Sequence, residues 1–309
     1  MTMAIAAFGP GADRAVSDGV LAAELLGRGA IGGFAVLSVL DADRAHFQTA
    51  CQDGGVAALA RPAAEGVICA AIISSGPNRP EPLSQFLAGR SGLGLVTGHR
   101  LPNRIGAEGR AVNASALERM ARGASPAAAV AAELEANPEL DFGLIAVDPG
   151  GGIGFGDSKR VARRADLGRA ARIEPDRGYA LLFNSIYCAP GLSLSRALGD
   201  IVWSRLSGEE AAFSIAELAA PAPLIAAAED RIELDGDDRV TAIRTANPRG
   251  LDDSDRTTVI YLRAPVWRNG RPTGAAASEI FARVEGGRAI PDPARQRRFI
   301  VERSGDVAP

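Results

Sequence analysis

Residues 141–158 read DFGLIAVDPGGGIGFGDS. Leu144, Ile145 and Val147 form an apolar run, Asp148–Pro149–Gly150–Gly151–Gly152 supplies turn residues, and Ile153 and Phe155 alternate with glycines before Asp157 and Ser158. Two short apolar runs around a glycine turn predict a β-hairpin. The triple glycine joins two strands and carries no lysine at Walker spacing, so it reads as a turn and not as a phosphate cradle.

The segments before the hairpin are strands followed by helices. Met3 to Phe8 reads as a strand, and Gly9–Pro10–Gly11 turns the chain into a helix with Asp13 as its cap, running to Gly27. Residues 29–55 read as strand, polar turn, strand. Apolar runs at Val67–Ile73 and Leu93–Thr97 end in the polar stretches Ser74–Ser75–Gly76–Pro77 and Gly98–His99–Arg100–Leu101–Pro102–Asn103. Asn113 is the expected cap of one helix ending at Gly123, and Ser125–Pro126 opens another. Strands, then two helices, then a hairpin do not alternate as βαβ units do, so the fold class expected is α+β.

Beyond the hairpin, Arg160 to Arg172 is basic and poor in apolar residues, which places a domain boundary near residue 165: a core over 1–165 and a further part over 166–309. The second part is expected to hold a strand at 179–183, a helix at 192–206, a hairpin around Asp235–Gly236–Asp237–Asp238 and a strand at 257–262. The tail from Pro291 onward is polar and is expected to fray.

Composition narrows the function. At 309 residues, 47% hydrophobic and 23% charged, the chain can bury a sizeable core. A net charge of −3 gives no electrostatic footprint for nucleic acid. Lys159 is the only lysine, and the other basic residues are arginine. Cys51, Cys69 and Cys188 lie far apart without a metal or redox spacing, and only His46 and His99 are available, so neither a disulfide framework, a metal nor a cofactor is expected. The N-terminal MTMAIAAFGPGADR lacks a basic, then apolar, leader, and no apolar run approaches the roughly 20 residues of a membrane helix. A cytoplasmic, membrane-free protein, self-associating as many of its size do, is the expectation.

Four candidates compete as sites. Gly27–Arg28–Gly29–Ala30–Ile31–Gly32 matches GxGxxG, but it follows a helix and opens a strand, the reverse of a dinucleotide fold, and reads as a helix C-cap and turn. Cys69 lies within VICAAII and reads as core. Ser158 with Lys159 can be written as a Ser–Lys dyad, although adjacent strand residues face opposite ways. Thr2 is the fourth. Its small side chain permits removal of Met1, after which its hydroxyl is the nucleophile and its own α-amine, titrating near 7.7–8.0, the base.

Residues 92–158 resemble in order a region of the N-terminal nucleophile hydrolases. The run is similar to an uncharacterised bacterial family placed in that superfamily, and more distantly to the isoaspartyl peptidases and asparaginases. The shared pattern is a strand, an asparagine-containing loop, a helix pair whose second member is capped by a small residue, a strand of the form GLIAVD, a glycine turn and a second strand. The resemblance implies a four-layered αββα sandwich with a C-terminal α/β extension, and an amide-bond hydrolase acting on a small, anionic amide. In the asparaginase branch the matching strand starts with a threonine freed by self-cleavage. Asp141 stands there in this chain, which moves the nucleophile to Thr2 and makes the hairpin scaffold. The strand-end groups Ser74, Ser75, His99, Arg100, Asn103 and Asn184, with Ser185 beside the last, are then candidates to bind substrate. A ligand-binding protein that kept the sandwich without its chemistry, and a ring-opening amidohydrolase using the Ser–Lys pair, are the alternatives.

Overall fold

The computed structural model describes residues 1–27, 31–292 and 296–304. The chain divides into two compact units, Met1–Glu210 and Ala211–Pro309.

The first unit is built on β1 (Thr2–Phe8), α1 (Ala12–Leu26), β2 (Ala35–Leu40), β3 (His46–Cys51), a single turn α2 (Gly55–Ala58) and β4 (Cys69–Ser75). β5 (Ala88–Arg90), β6 (Gly94–Arg100), α3 (Val112–Ala121) and α4 (Pro126–Ala136) follow, then β7 (Phe142–Val147), β8 (Ile153–Asp157) and the short α5 (Lys159–Ala162). β9 (Leu167–Ile173), β10 (Gly178–Asn184) and α6 (Leu194–Ser207) complete it. The strands make a six-stranded sheet, β3-β2-β4-β1-β10-β9, and a four-stranded one, β5-β6-β7-β8. The predicted hairpin is present, with Val147 paired to Ile153 and Asp148 Oδ1 accepting from the N–H groups of Gly150 and Gly152.

Period-two alternation sorts each strand into two faces. Ala4, Ala6, Ala71, Ile73, Ile145 and Val147 share one buried cluster between the two sheets. On the far side of the four-stranded sheet, Val96, Leu144 and Ala146 meet Val112 and Ala116 of α3 and Val130 of α4. α1 packs on β1 and β4, and α6 on β9 and β10 and along α1. Gly19 makes the last contact close, since a Cβ there would run into Ile5 and Val202. The unit is α+β, as its element order predicts.

The boundary expected near residue 165 falls inside this unit. Low apolar content at 160–172 reflects an exposed edge, not a linker: β9 pairs along its whole length with β10, and β10 pairs with β1 in the middle of the sheet. Helix starts also differ from expectation. α1 begins after Gly11 in the left-handed conformation (φ 77°), with Asp13 in the first turn, where a carboxylate favours the helix dipole. α3 begins after Ala111, and Asn113, one residue into the helix, donates through its side chain to the Gln85 carbonyl. Ser125 caps α4 as read, accepting from Ala128 N–H. Of the GxGxxG match, Gly27 is the C-cap of α1 and donates to Ala23 O; Arg28, Gly29 and Ala30 lie outside the described residues.

The second unit holds β11 (Phe213–Glu217), β12 (Ala222–Ala226), β13 (Arg231–Leu234), β14 (Val240–Thr245), β15 (Ser254–Ile260) and β16 (Pro265–Arg268). β17 (Arg271–Ala276), β18 (Ile280–Glu285), β19 (Arg288–Ile290) and β20 (Arg298–Arg303) follow. They form one ten-stranded mixed sheet, β11-β20-β17-β16-β13-β14-β12-β19-β18-β15. β18 shows the pattern that builds it: Ile280, Ala282 and Val284 point into the core while Phe281, Arg283 and Glu285 face solvent. The expected α/β extension is therefore a β unit, because α6 belongs to the first unit, where it packs on α1. The tail expected to fray instead supplies β20, whose Phe299 and Val301 are buried in the core; residues 305–309 lie outside the described residues. Among the described residues no helix is long and apolar enough to cross a membrane, and no group of three His, Cys, Asp or Glu side chains converges as a metal site.

One half-buried acid inside the first unit gives a measurable pH effect. Glu24 on α1 accepts from the N–H of Val56, and burial pushes its carboxyl up to about 7 from 4.5. Between those values the folded chain keeps a proton that the unfolded chain releases, so stability falls as pH rises through that window. Glu24→Gln keeps an acceptor for Val56 without the charge. Urea unfolding of the variant at pH 5 and pH 8 is expected to lack this loss, a difference on the order of 2 kcal/mol from the parent.

Candidate functional site

Thr2 opens β1, between Ser75 at the end of β4 and Asn184 at the end of β10, in register with both. Because the pleat puts Thr2 on the same face as Ala4 and Ala6, its side chain lies on the side of β1 that faces the second sheet. There it is 2% exposed, and Ser75, His99 and Asn184 are fully buried.

The Thr2 hydroxyl is held from two sides. It donates to Asn184 Oδ1 at 2.7 Å and accepts from the backbone N–H of Arg100, also at 2.7 Å. Arg100 closes β6 with φ 66°, and Ser185, after β10, has φ 56°. Non-glycine residues in this conformation cost of order 1–3 kcal/mol and persist where their surroundings fix them. Arg100 donates to the Thr2 hydroxyl, and Ser185 directly follows that hydroxyl's acceptor, Asn184.

Behind Asn184 a polar chain runs into the core. Asn184 Oδ1 also faces His99 Nδ1 at 3.2 Å, and His99 Nε2 lies 2.6 Å from Asp157 Oδ1. Both ring nitrogens thus meet side-chain oxygens, and the ring bridges Asn184 to the Asp157 carboxylate. The pair spans β7: His99 on β6 and Asp157 on β8 are both in register with Gly143. A Cβ at Gly143 would collide with the Asp157 carboxylate and the His99 ring, so the glycine of GLIAVD creates the space in which they meet. The hairpin, read as scaffold, delivers a site residue. On the other side Asn184 Nδ2 donates to Ser185 Oγ at 2.9 Å, and Ser185 Oγ donates to Asp166 Oδ2 at 2.5 Å.

Three arginines surround this end of β1, each hydrogen-bonded to a neighbour of the Thr2 side chain or to Thr2 itself. Arg100 touches Thr2 through its backbone while its guanidinium grips Asp141 at 2.8 and 2.6 Å, which holds that carboxyl below its ordinary range. Arg164 binds Asp166 with both fork nitrogens and holds it down at about 2. Arg79 donates through Nε to Ser75 Oγ at 3.1 Å. Burial, then Arg79, Arg100 and Arg164, lower the α-amine of the first residue from 8.0, with Asp166 opposing.

Of the residues expected in a site, Thr2, Ser75, His99, Arg100 and Asn184 converge. Arg100 contributes its N–H, its guanidinium being committed to Asp141. Ser74 does not join them, because it is one residue off in the pleat and sits beside the Glu24 carboxyl on the α1 face. Asn103 points away and donates to Gln85 Oε1. The Ser158–Lys159 pair is not a dyad: Ser158 Oγ caps α5, accepting from Val161 N–H, and donates to Leu140 O, while Lys159 is exposed. Cys69 is core, and burial pushes its thiol up to about 12. Sequence reading missed Asp157, Asp166 and Arg79.

A family model described as domain of unknown function (DUF6963) matches residues 2–215. A second, domain of unknown function (DUF7259), matches residues 221–297. No curated protein and no solved structure matches the chain.

Proposed function

We propose that this chain, which belongs to the family described as domain of unknown function (DUF6963), is an amide-bond hydrolase of the N-terminal nucleophile type acting on a small, anionic amide. The observation that carries the reading is the hydroxyl of Thr2, clamped between Asn184 Oδ1 and the Arg100 N–H at the first position of β1. A second support is the order of packing, helices on a six-stranded sheet, that sheet on a four-stranded one, and helices again. It is the order expected of the αββα sandwich of the N-terminal nucleophile hydrolases.

The chemistry requires Thr2 to be the first residue. Its Oγ attacks the amide carbonyl carbon, and its α-amine takes the hydroxyl proton. Burial and the neighbouring arginines lower the α-amine of Met1 from 8.0, and the same surroundings favour the unprotonated, basic form of an amine at this end of β1. Collapse of the tetrahedral intermediate breaks the C–N bond, the leaving amine receives the proton, and water then hydrolyses the threonyl ester. His99, held by Asp157, fixes Asn184, and Asn184 fixes the rotamer of Thr2. These are positioning residues.

Intact mass and N-terminal sequencing of the untagged protein test the requirement. The expected result is a chain beginning at Thr2 with no internal cut. A whole chain that keeps Met1 leaves the threonine without a free amine and contradicts the reading.

A further inference from the structure

The three arginines around Thr2 are not equivalent. Arg100 and Arg164 are neutralised by bidentate pairs with Asp141 and Asp166. Arg79 has no carboxylate partner among the described residues: its Nε is spent on Ser75 Oγ, and its two terminal nitrogens make no hydrogen bond there. It is half-buried, and burial, then the neighbouring Arg100, lower its basicity. A half-buried guanidinium without a counter-ion is open to completion by an anion, which its planar fork suits.

The backbone of Arg79 is nonetheless fixed. Its N–H donates to Gln52 Oε1 at 2.9 Å and its carbonyl accepts from Gln52 Nε2 at 2.5 Å, so β3's neighbouring loop grips the residue from both sides. The guanidinium lies 6.0 Å from the centre of the Phe86 ring. Ser75, which receives its Nε–H, is the register partner of Thr2. A planar fork with two unsatisfied nitrogens, held one residue from the nucleophile, matches a carboxylate.

The geometry points to Arg79 as the residue that selects the substrate, binding a carboxylate carried close to the scissile amide. This rests on the N-terminal threonine reading, and it replaces Arg100 as the anion-binding arginine. Asp141 and Asp166 then act as selective neutralisers, leaving one cation of three to read the ligand. A neutral amide of the same shape leaves Arg79 uncompensated and binds more weakly.

Calorimetric titration of the chain that begins at Thr2 with glutarate, and with the matched neutral glutaramide, tests it. Glutarate is expected to bind and glutaramide to bind at least tenfold more weakly. Arg79→Gln is expected to weaken glutarate at least tenfold, and Arg79→Lys, which keeps the charge without the fork, to lie between. Equal affinities for the two probes, no binding of glutarate, or an Arg79→Gln variant that binds as the parent does would overturn the assignment. The melting temperature of each variant checks that it is folded. Failure of the threonine reading is detected separately, by the absence of acylation of Thr2 in the parent, and leaves the titration interpretable.

Discussion

Thr2→Ala is expected to lower kcat/KM for any anionic amide the parent hydrolyses by at least about 10³-fold, because the nucleophile is removed while the amine remains. Thr2→Ser, which keeps a hydroxyl on the same strand position, is expected to retain measurable turnover. The loss should fall on kcat and kcat/KM together, since Oγ acts in the bond-forming step and the carboxylate is held elsewhere. Hydrolysis by the alanine variant at the parental rate would exclude Thr2 as the nucleophile. The stability cost should be small beside the catalytic one: the lost hydroxyl had two partners, and each such bond contributes about 1 kcal/mol net.

The largest expected effect on stability lies one step behind the nucleophile. The His99 and Asp157 side chains are 1% and 9% exposed, and their contact at 2.6 Å is the inner end of the polar chain. Asp157→Ala leaves the buried ring without its acceptor, and urea unfolding is expected to register a loss of about 3–5 kcal/mol. Replacing both partners, His99→Leu with Asp157→Leu, removes the polar groups together and should be less costly than that single change. The double variant should still be inactive, because Asn184 loses the ring that orients it. A single variant as stable as the parent would show that the pair is not structural, and an active double variant would show that it does not position Thr2.

Much of the fold was legible because its strands are short, apolar and bounded by glycine or polar turns. β1, β4, β6 and the β7–β8 hairpin follow from hydrophobic runs, and α4 from Ser125–Pro126. What could not be read was pairing. β9 looks like a linker in isolation, since an edge strand exposes its arginines, and only its partner β10 brings it into the sheet. The site divides the same way. Thr2, Ser75, His99 and Asn184 stand at strand ends, where a polar residue after an apolar run is visible in the sequence. Ser74 was misjudged because neighbouring positions on a strand are chemically alike and face opposite ways. Asp157 was missed because its partner is set by strand register across Gly143, and Arg79 because its importance lies in the counter-ions of two other arginines.

The central claim is that Thr2 is the nucleophile, and the most direct measurement is the position of a covalent adduct. The untagged protein, treated with a β-lactone electrophile and digested, should carry one acyl group, mapped by tandem mass spectrometry to the peptide that begins at Thr2. Thr2→Ala should carry none. An adduct on another residue, or none on a chain that begins with a free Thr2, would contradict the account.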